Sequence, residues 1–211
     1  MKYIIVLADG MADEKQEALQ GKTPVMAAKT PNIDRLAASS EILELFTIPE
    51  GLPAGSDVGN LSILGYNPKQ YYAGRSPLEA LSIGVPMEQG DMTYRINLVT
   101  LSEEEDYEDK RMVDYSAGEI STEESRELIA ALKEALSTDR YHFYAGVSYR
   151  HILLQKGGEG RHDFTPPHDI SDRLIREYLP KDPAILELMK RSHQILKDHP
   201  INLRRMAQGK N

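Results

Sequence analysis

The chain opens on Met1-Lys2-Tyr3-Ile4-Ile5-Val6-Leu7-Ala8, a short apolar run that stops at Asp9-Gly10. An uninterrupted run of this length predicts a strand buried on both faces, the habit of parallel sheets whose crossover helices cover each side. Ile42-Leu43-Glu44-Leu45-Phe46-Thr47-Ile48 predicts a second strand. Between them, Thr30-Pro31-Asn32-Ile33-Asp34-Arg35-Leu36-Ala37-Ala38 has the form of a helix start. Thr30 is the cap, proline takes the first helical position, and Ile33, Leu36 and Ala37 share a face. Strand, helix, strand, loop and helix in that order begin an α/β sandwich. Ligands in such sheets bind beyond the carboxyl ends of strands, which is where Asp9 falls. Asp9 is therefore a candidate metal or phosphate contact; the alternative is a turn residue paired with Gly10.

The second run leads through Pro49-Glu50-Gly51-Leu52-Pro53-Ala54, rich in turn formers, into Gly55-Ser56-Asp57-Val58-Gly59-Asn60. A helix is predicted to start here, with Leu61, Ile63 and Leu64 on its apolar side. A serine at such a start has two uses. Its oxygen can cap the helix, or it can be offered to a phosphate held by the unpaired N–H groups and the positive dipole end. Asn60, one turn on, is either a phosphate contact or a surface polar residue.

Further along, Ser76-Pro77-Leu78-Glu79 has the form of a capping box, and the texture changes around Gly84-Val85-Pro86. Met92 to Thr100 alternates like a strand with one polar face. A second box, Ser121-Thr122-Glu123-Glu124, opens an amphipathic helix through Leu136. Two β-rich pieces, Tyr141–Gly146 and Val147–Leu154, follow, and Pro183 to Lys197 reads as a closing helix with Ile185, Leu186, Leu188, Met189, Ile195 and Leu196 on one side. These segments divide the chain into an α/β part over 1–85, a smaller inserted α+β unit over 86–180, and a returning segment over 181–211. At 211 residues there is length for a real core. A net charge of -8 argues against a nucleic-acid surface. With 0 cysteines, disulfides, thiolate catalysis and zinc–thiolate sites are excluded, which suits a reducing cytoplasm. The one N-terminal apolar run is too short to span a membrane.

Read together, the segments resemble the cofactor-independent phosphoglycerate mutases, in the archaeal-type branch also found in bacteria, within the alkaline phosphatase superfamily. The likeness rests on Ala8-Asp9-Gly10-Met11, Thr30–Leu36, Pro53–Asn60, Tyr72-Ala73-Gly74-Arg75, Tyr149-Arg150-His151 and Pro166-Pro167-His168-Asp169-Ile170, in the family's order. It implies a partial alkaline-phosphatase-like three-layer α/β sandwich with an inserted α+β substrate domain. It also implies the interconversion of 3-phosphoglycerate and 2-phosphoglycerate through a phosphoserine, in glycolysis and gluconeogenesis in the cytoplasm. Ser56 matches the nucleophile, and Asp9 and Ser56 match ligands of a site for two divalent ions, manganese or else magnesium, zinc or cobalt. No 2,3-bisphosphoglycerate is required. Coordination would favour the serine alkoxide, and two cations would neutralise charge on the phosphoryl group.

A small phosphorylated hydroxy-acid favours arginine, whose planar fork binds two oxygens at once. Arg75, Arg95, Arg150 and His151 are the candidates, with Asn60, His168 and Asp169 beside them. Arg95 is otherwise a wet strand residue, and His168-Asp169 a structural pair in a rigid loop. One departure stands out. The family completes its metal site with a later Asp-x-x-x-His segment, an Asp-His pair and a further histidine. Here the one Asp-His pair, Asp198-His199, precedes Pro200 and does not match. The chain is expected to be a fragment, a split subunit or a truncated product, inactive by itself and partnered by the missing half or by its own copies. Two alternatives stay open: another phosphotransferase or phosphatase of the superfamily, or a non-catalytic substrate-binding module. No Gly-x-x-x-x-Gly-Lys-Ser/Thr loop supports a nucleotide kinase.

Overall fold

The computed structural model describes residues 2–8, 10–158 and 164–210, so Asp9 lies outside the described residues. By contacts the chain divides into two units, Met1–Ala54 and Gly55–Asn211.

In the first unit, α1 (Pro24–Ala27) and α2 (Pro31–Ala38) are the helices. Thr23 caps α1 through its side chain. Thr30 precedes α2 as expected, with Pro31 as first helical residue, but its hydroxyl donates to Asp34 Oδ1 at 2.9 Å instead of capping the backbone. The expected strands at 1–8 and 42–48 are not formed: neither run enters a ladder among the described residues. Val6 and Phe46 are both 87% exposed. Both-face burial needs a neighbour strand on each edge and a helix over each side. The described residues of this unit include none that is buried.

The second unit holds the core. Its helices are α3 (Ser56–Ile63), α4 (Pro68–Tyr71), α5 (Arg75–Ser82), α6 (Thr122–Leu136), α7 (Pro183–Lys197) and α8 (Pro200–Ala207). Its strands are β1 (Met92–Asn97), β2 (Thr100–Leu101), β3 (Met112–Asp114), β4 (Tyr141–Val147) and β5 (Arg150–Gln155). β5 runs antiparallel between β1 and β4, and β2 pairs antiparallel with β3. The register sets Asn97 opposite Arg150, Arg95 opposite Ile152, and Tyr144 opposite Ile152.

Residues paired across strands share a face, and successive residues alternate. One face therefore carries Thr93, Arg95, Asn97, Arg150, Ile152 and Leu154. There Ile152 and Leu154 pack with Ala80 of α5 and with Val85. On the other face Tyr141, Phe143 and Leu153 join Leu128, Ile129, Leu132 and Leu136 of α6 and Ile185 of α7 in the largest cluster. A third cluster gathers Met112, Ile170 and Ile175. Among the described residues no helix is long and apolar enough to cross a membrane.

The expected boundaries of α6 and α7 agree with the structure because their caps are local. Ser121 accepts from the Glu124 N–H at 3.2 Å, and Asp182 accepts from the Ala184 and Ile185 N–H groups. The box at Ser76–Glu79 is not formed. α5 starts two residues earlier than that box implies, at Arg75, capped by Gly74, whose φ of 104° suits a residue without Cβ. The Ser76 hydroxyl instead donates to the Thr93 carbonyl at 2.7 Å, and Glu79 pairs with Arg95. Both side chains are taken up by β1.

Candidate functional site

The start of α3 is the first place where chemistry gathers. Gly55 is the capping residue, with extended backbone, and Ser56 is the first residue inside the helix. The serine oxygen is therefore not the cap, which removes one of its two expected uses. Ser56 and Asn60 are both exposed, one helical turn apart and so on neighbouring surface.

Asp57 turns the other way. Its side chain is 11% exposed, and its Oδ2 accepts the Tyr72 hydroxyl at 2.5 Å and the Arg75 Nε–H at 3.4 Å. Its Oδ1 is buried without a hydrogen-bond partner among the described residues. Burial pushes the Asp57 carboxyl up, but the Tyr72 hydroxyl, the first-turn amides of Asp57 and Val58 and the Arg75 charge outweigh it and hold the acid below its ordinary value. Tyr72 is pushed up to about 12, by burial first and then by donating to a carboxylate. The neighbouring acid is thus ionised and engaged, and it is no proton acceptor for Ser56.

A second gathering lies around the start of β5. The Arg150 guanidinium sits over the Tyr149 ring at 5.6 Å. Tyr115 meets Tyr149 edge-on at 6.0 Å and His168 at 6.1 Å, and His168 Nε2 stands 3.4 Å from Asp169 Oδ1. Asn97, opposite Arg150 in the ladder, donates to the Tyr115 carbonyl at 3.4 Å. Three residues singled out by sequence (Arg150, His168 and Asp169) are thereby joined through two tyrosines that were not. Tyr149 lies within a recognised segment; Tyr115 carries no local signal at all.

Arg95 is held by Glu79 at 3.6 Å on the same sheet face as Arg150. His151 is not at this surface. Alternation sends it to the opposite face, where it is 1% exposed and its Nδ1 accepts the Gly146 N–H at 3.0 Å. Its Nε2 is buried without a partner among the described residues, and burial lowers its pKa to about 4. It is a neutral core histidine, leaving Arg150 as the member of the pair open to a ligand.

Among the described residues no group of three or more His, Asp or Glu side chains can hold a metal ion. Ser56 supplies one oxygen there and Asp57 is already engaged, so these residues do not by themselves fit a two-cation centre.

A model of the family described as 2,3-bisphosphoglycerate-independent phosphoglycerate mutase matches residues 37–202. The chain belongs to that family. Among relatives of this mutase family, a probable 2,3-bisphosphoglycerate-independent phosphoglycerate mutase of Geobacter sulfurreducens is 47% identical over 100% of this chain and 53% of its own length. A Methanosarcina barkeri 2,3-bisphosphoglycerate-independent phosphoglycerate mutase is 49% identical, again over 100% of this chain and 52% of its own length. The chain thus spans about half the length of the curated mutases it matches. Of solved structures, a Pyrococcus horikoshii protein aligns with TM-score 0.67 at 26% identity, over 96% of this chain and 46% of that one. A cofactor-independent phosphoglycerate mutase from Thermoplasma acidophilum aligns with TM-score 0.54 at 30% identity, over 95% and 54%. The fold class is accordingly α/β, shared with both solved structures.

Proposed function

We propose that this chain carries the nucleophile and the substrate-contacting residues of a phosphoglycerate mutase. The observation that carries the reading is Ser56 itself: exposed, first in its helix and released from capping, in a chain whose family is that of the mutases. On this reading Ser56 Oγ bonds to the phosphorus of 3-phosphoglycerate as the bond from phosphorus to the C3 oxygen breaks. That oxygen ends protonated and phosphoserine stands beside bound glycerate. The glycerate turns, its C2 oxygen bonds to phosphorus, the serine bond breaks, and Ser56 regains its proton. The amides and dipole end of α3 favour the phosphoryl charge, with Asn60 one turn away.

The inserted unit over 86–180 holds the glycerate on this reading, through Arg95, Arg150, His168 and Asp169, with Arg75 near the serine. Two divalent cations, manganese among them, and Asp9 as a ligand belong to the same proposal, as does action in the cytoplasm.

The test is to incubate the chain with 3-phosphoglycerate, alone and with a C-terminal partner supplied. Metal content, 2-phosphoglycerate formation and phosphate on Ser56 (by mass spectrometry) are then measured. The expected outcome is turnover only with the partner, phosphate on Ser56, and loss of both in Ser56→Ala. Release of inorganic phosphate without 2-phosphoglycerate would make the protein a phosphatase. Substrate binding with neither product would make it a binding module.

A further inference from the structure

We propose that Asp57 is a positioning residue for Ser56, its carboxylate tying the first turn of α3 to the end of α4 and the start of α5. The inference rests on the reading of Ser56 as phosphoryl acceptor, and it adds residues to which that reading gives no such task.

The geometry is that of a clamp. One oxygen, Asp57 Oδ2, takes the hydroxyl of Tyr72, which directly follows α4, and the Nε–H of Arg75, which opens α5. Three chain segments meet on a single atom one residue from the nucleophile. The other oxygen, Oδ1, is packed inward over Gly55: a Cβ built on that glycine would stand 2.3 Å from Oδ1 and 3.2 Å from an Arg75 nitrogen. Gly55 has φ -132°, which any residue adopts, so space is the reason for a glycine there. The absent side chain lets the carboxylate fold back across the helix start.

The arrangement also disposes of the other roles for Asp57. Adjacent residues on a helix project about 100° apart, so Asp57 does not face the Ser56 oxygen. A free carboxylate beside the nucleophile would repel a phosphate dianion, whereas here the charge is turned inward and met by a hydroxyl and a guanidinium. Arg75, with its side chain 57% exposed, uses only Nε in this contact and leaves its outer nitrogens for a ligand. A nucleophile displaced by about 1 Å loses rate by roughly 100-fold, so the position of the first turn matters to turnover far more than to binding.

The variant that isolates the clamp is Tyr72→Phe, which removes one hydroxyl and keeps the ring. In whichever form of the protein turns over, kcat is expected to fall about 10- to 100-fold with KM within about twofold. Amide hydrogen exchange across residues 56–60 should quicken by about tenfold while α6 is unchanged. Asp57→Asn, which keeps an acceptor oxygen, should lie between wild type and Tyr72→Phe in both measurements. An unchanged kcat, or a rise in KM alone, overturns the proposal. If the wild type interconverts no phosphoglycerate, it is the functional reading that has failed. Hydrogen exchange then decides the clamp: quickening at 56–60 upholds it, and no change overturns it.

Discussion

At the scale of single residues, His151 shows how burial settles a protonation state. Its Nδ1 accepts the Gly146 N–H, so the neutral ring carries its proton on Nε2, and that atom sits in the core without a partner among the described residues. A second proton would have to displace the Gly146 bond, and the charge would have no water to solvate it. The native pKa of about 4 lies below the ordinary 6.5, so the unfolded chain binds the proton first as the pH falls. Stability is therefore full above about pH 6.5 and is lost progressively down to about pH 4, by on the order of 3 kcal/mol. His193, lowered by burial and by Lys110 and Lys197, acts in the same sense. The measurement is accordingly a difference. Melting of wild type and His151→Asn, whose Oδ1 still reaches the Gly146 N–H, is compared at pH 7 and pH 4.5. The variant should be less stable at neutral pH and markedly less sensitive to acid; equal sensitivity would remove His151 as the cause.

At the scale of elements, α8 is held to its unit by Ile201 in the main apolar cluster and by a buried arginine. Arg205 is 4% exposed; its Nη1 donates to Glu124 Oε2 at 2.6 Å and its Nη2 to the Ala117 carbonyl at 2.7 Å. Burial pushes the Glu124 carboxyl up, and the bonds from Arg205 and Arg204 outweigh it and bring it below the ordinary value. Glu124→Gln would remove the carboxylate charge that faces the Arg205 guanidinium and should cost about 3 kcal/mol in chemical denaturation. Arg204→Ala, which removes an exposed partner 3.3 Å from the same carboxylate, should cost less than about 1 kcal/mol. Equal costs would show that burial is not what gives the pair its weight.

Elements were legible where their signals are local. Pro183–Lys197 follows from its helical period, and α6 from its period together with the capping Ser121. Ser76–Glu79 misled because β1 competes for both side chains, and 1–8 and 42–48 because a strand is made by partners that its own residues do not specify. The candidate site divides the same way. Ser56 is visible in Gly-Ser-Asp at a helix start and Tyr72 lies in a recognised segment, though its bond to Asp57 is tertiary, whereas Tyr115 enters only through tertiary approach. The separation of Arg150 from His151 needed only the twofold period of a strand.

At the scale of the whole molecule, the family match over 37–202 spans both units of the chain. Every buried hydrophobic residue described belongs to Gly55–Asn211, including those of all three apolar clusters. The first unit instead exposes Ile4, Val6, Leu43, Leu45 and Phe46, in runs with high β-propensity. Exposed apolar strand-formers favour pairing with another copy of themselves. Stability and self-association should thus separate along the chain. Residues 55–211 expressed alone should melt cooperatively within a few degrees of the whole chain, since they keep the whole described core. Limited proteolysis of the whole chain should cut first within 1–54 and leave that core intact. The whole chain should scatter light increasingly with concentration, whereas 55–211 should stay monodisperse, and Val6→Lys with Leu45→Lys should bring the whole chain towards the same behaviour. If 55–211 instead fails to fold, or associates as readily as the parent, residues 1–54 stabilise the core in a way that their exposure does not reveal.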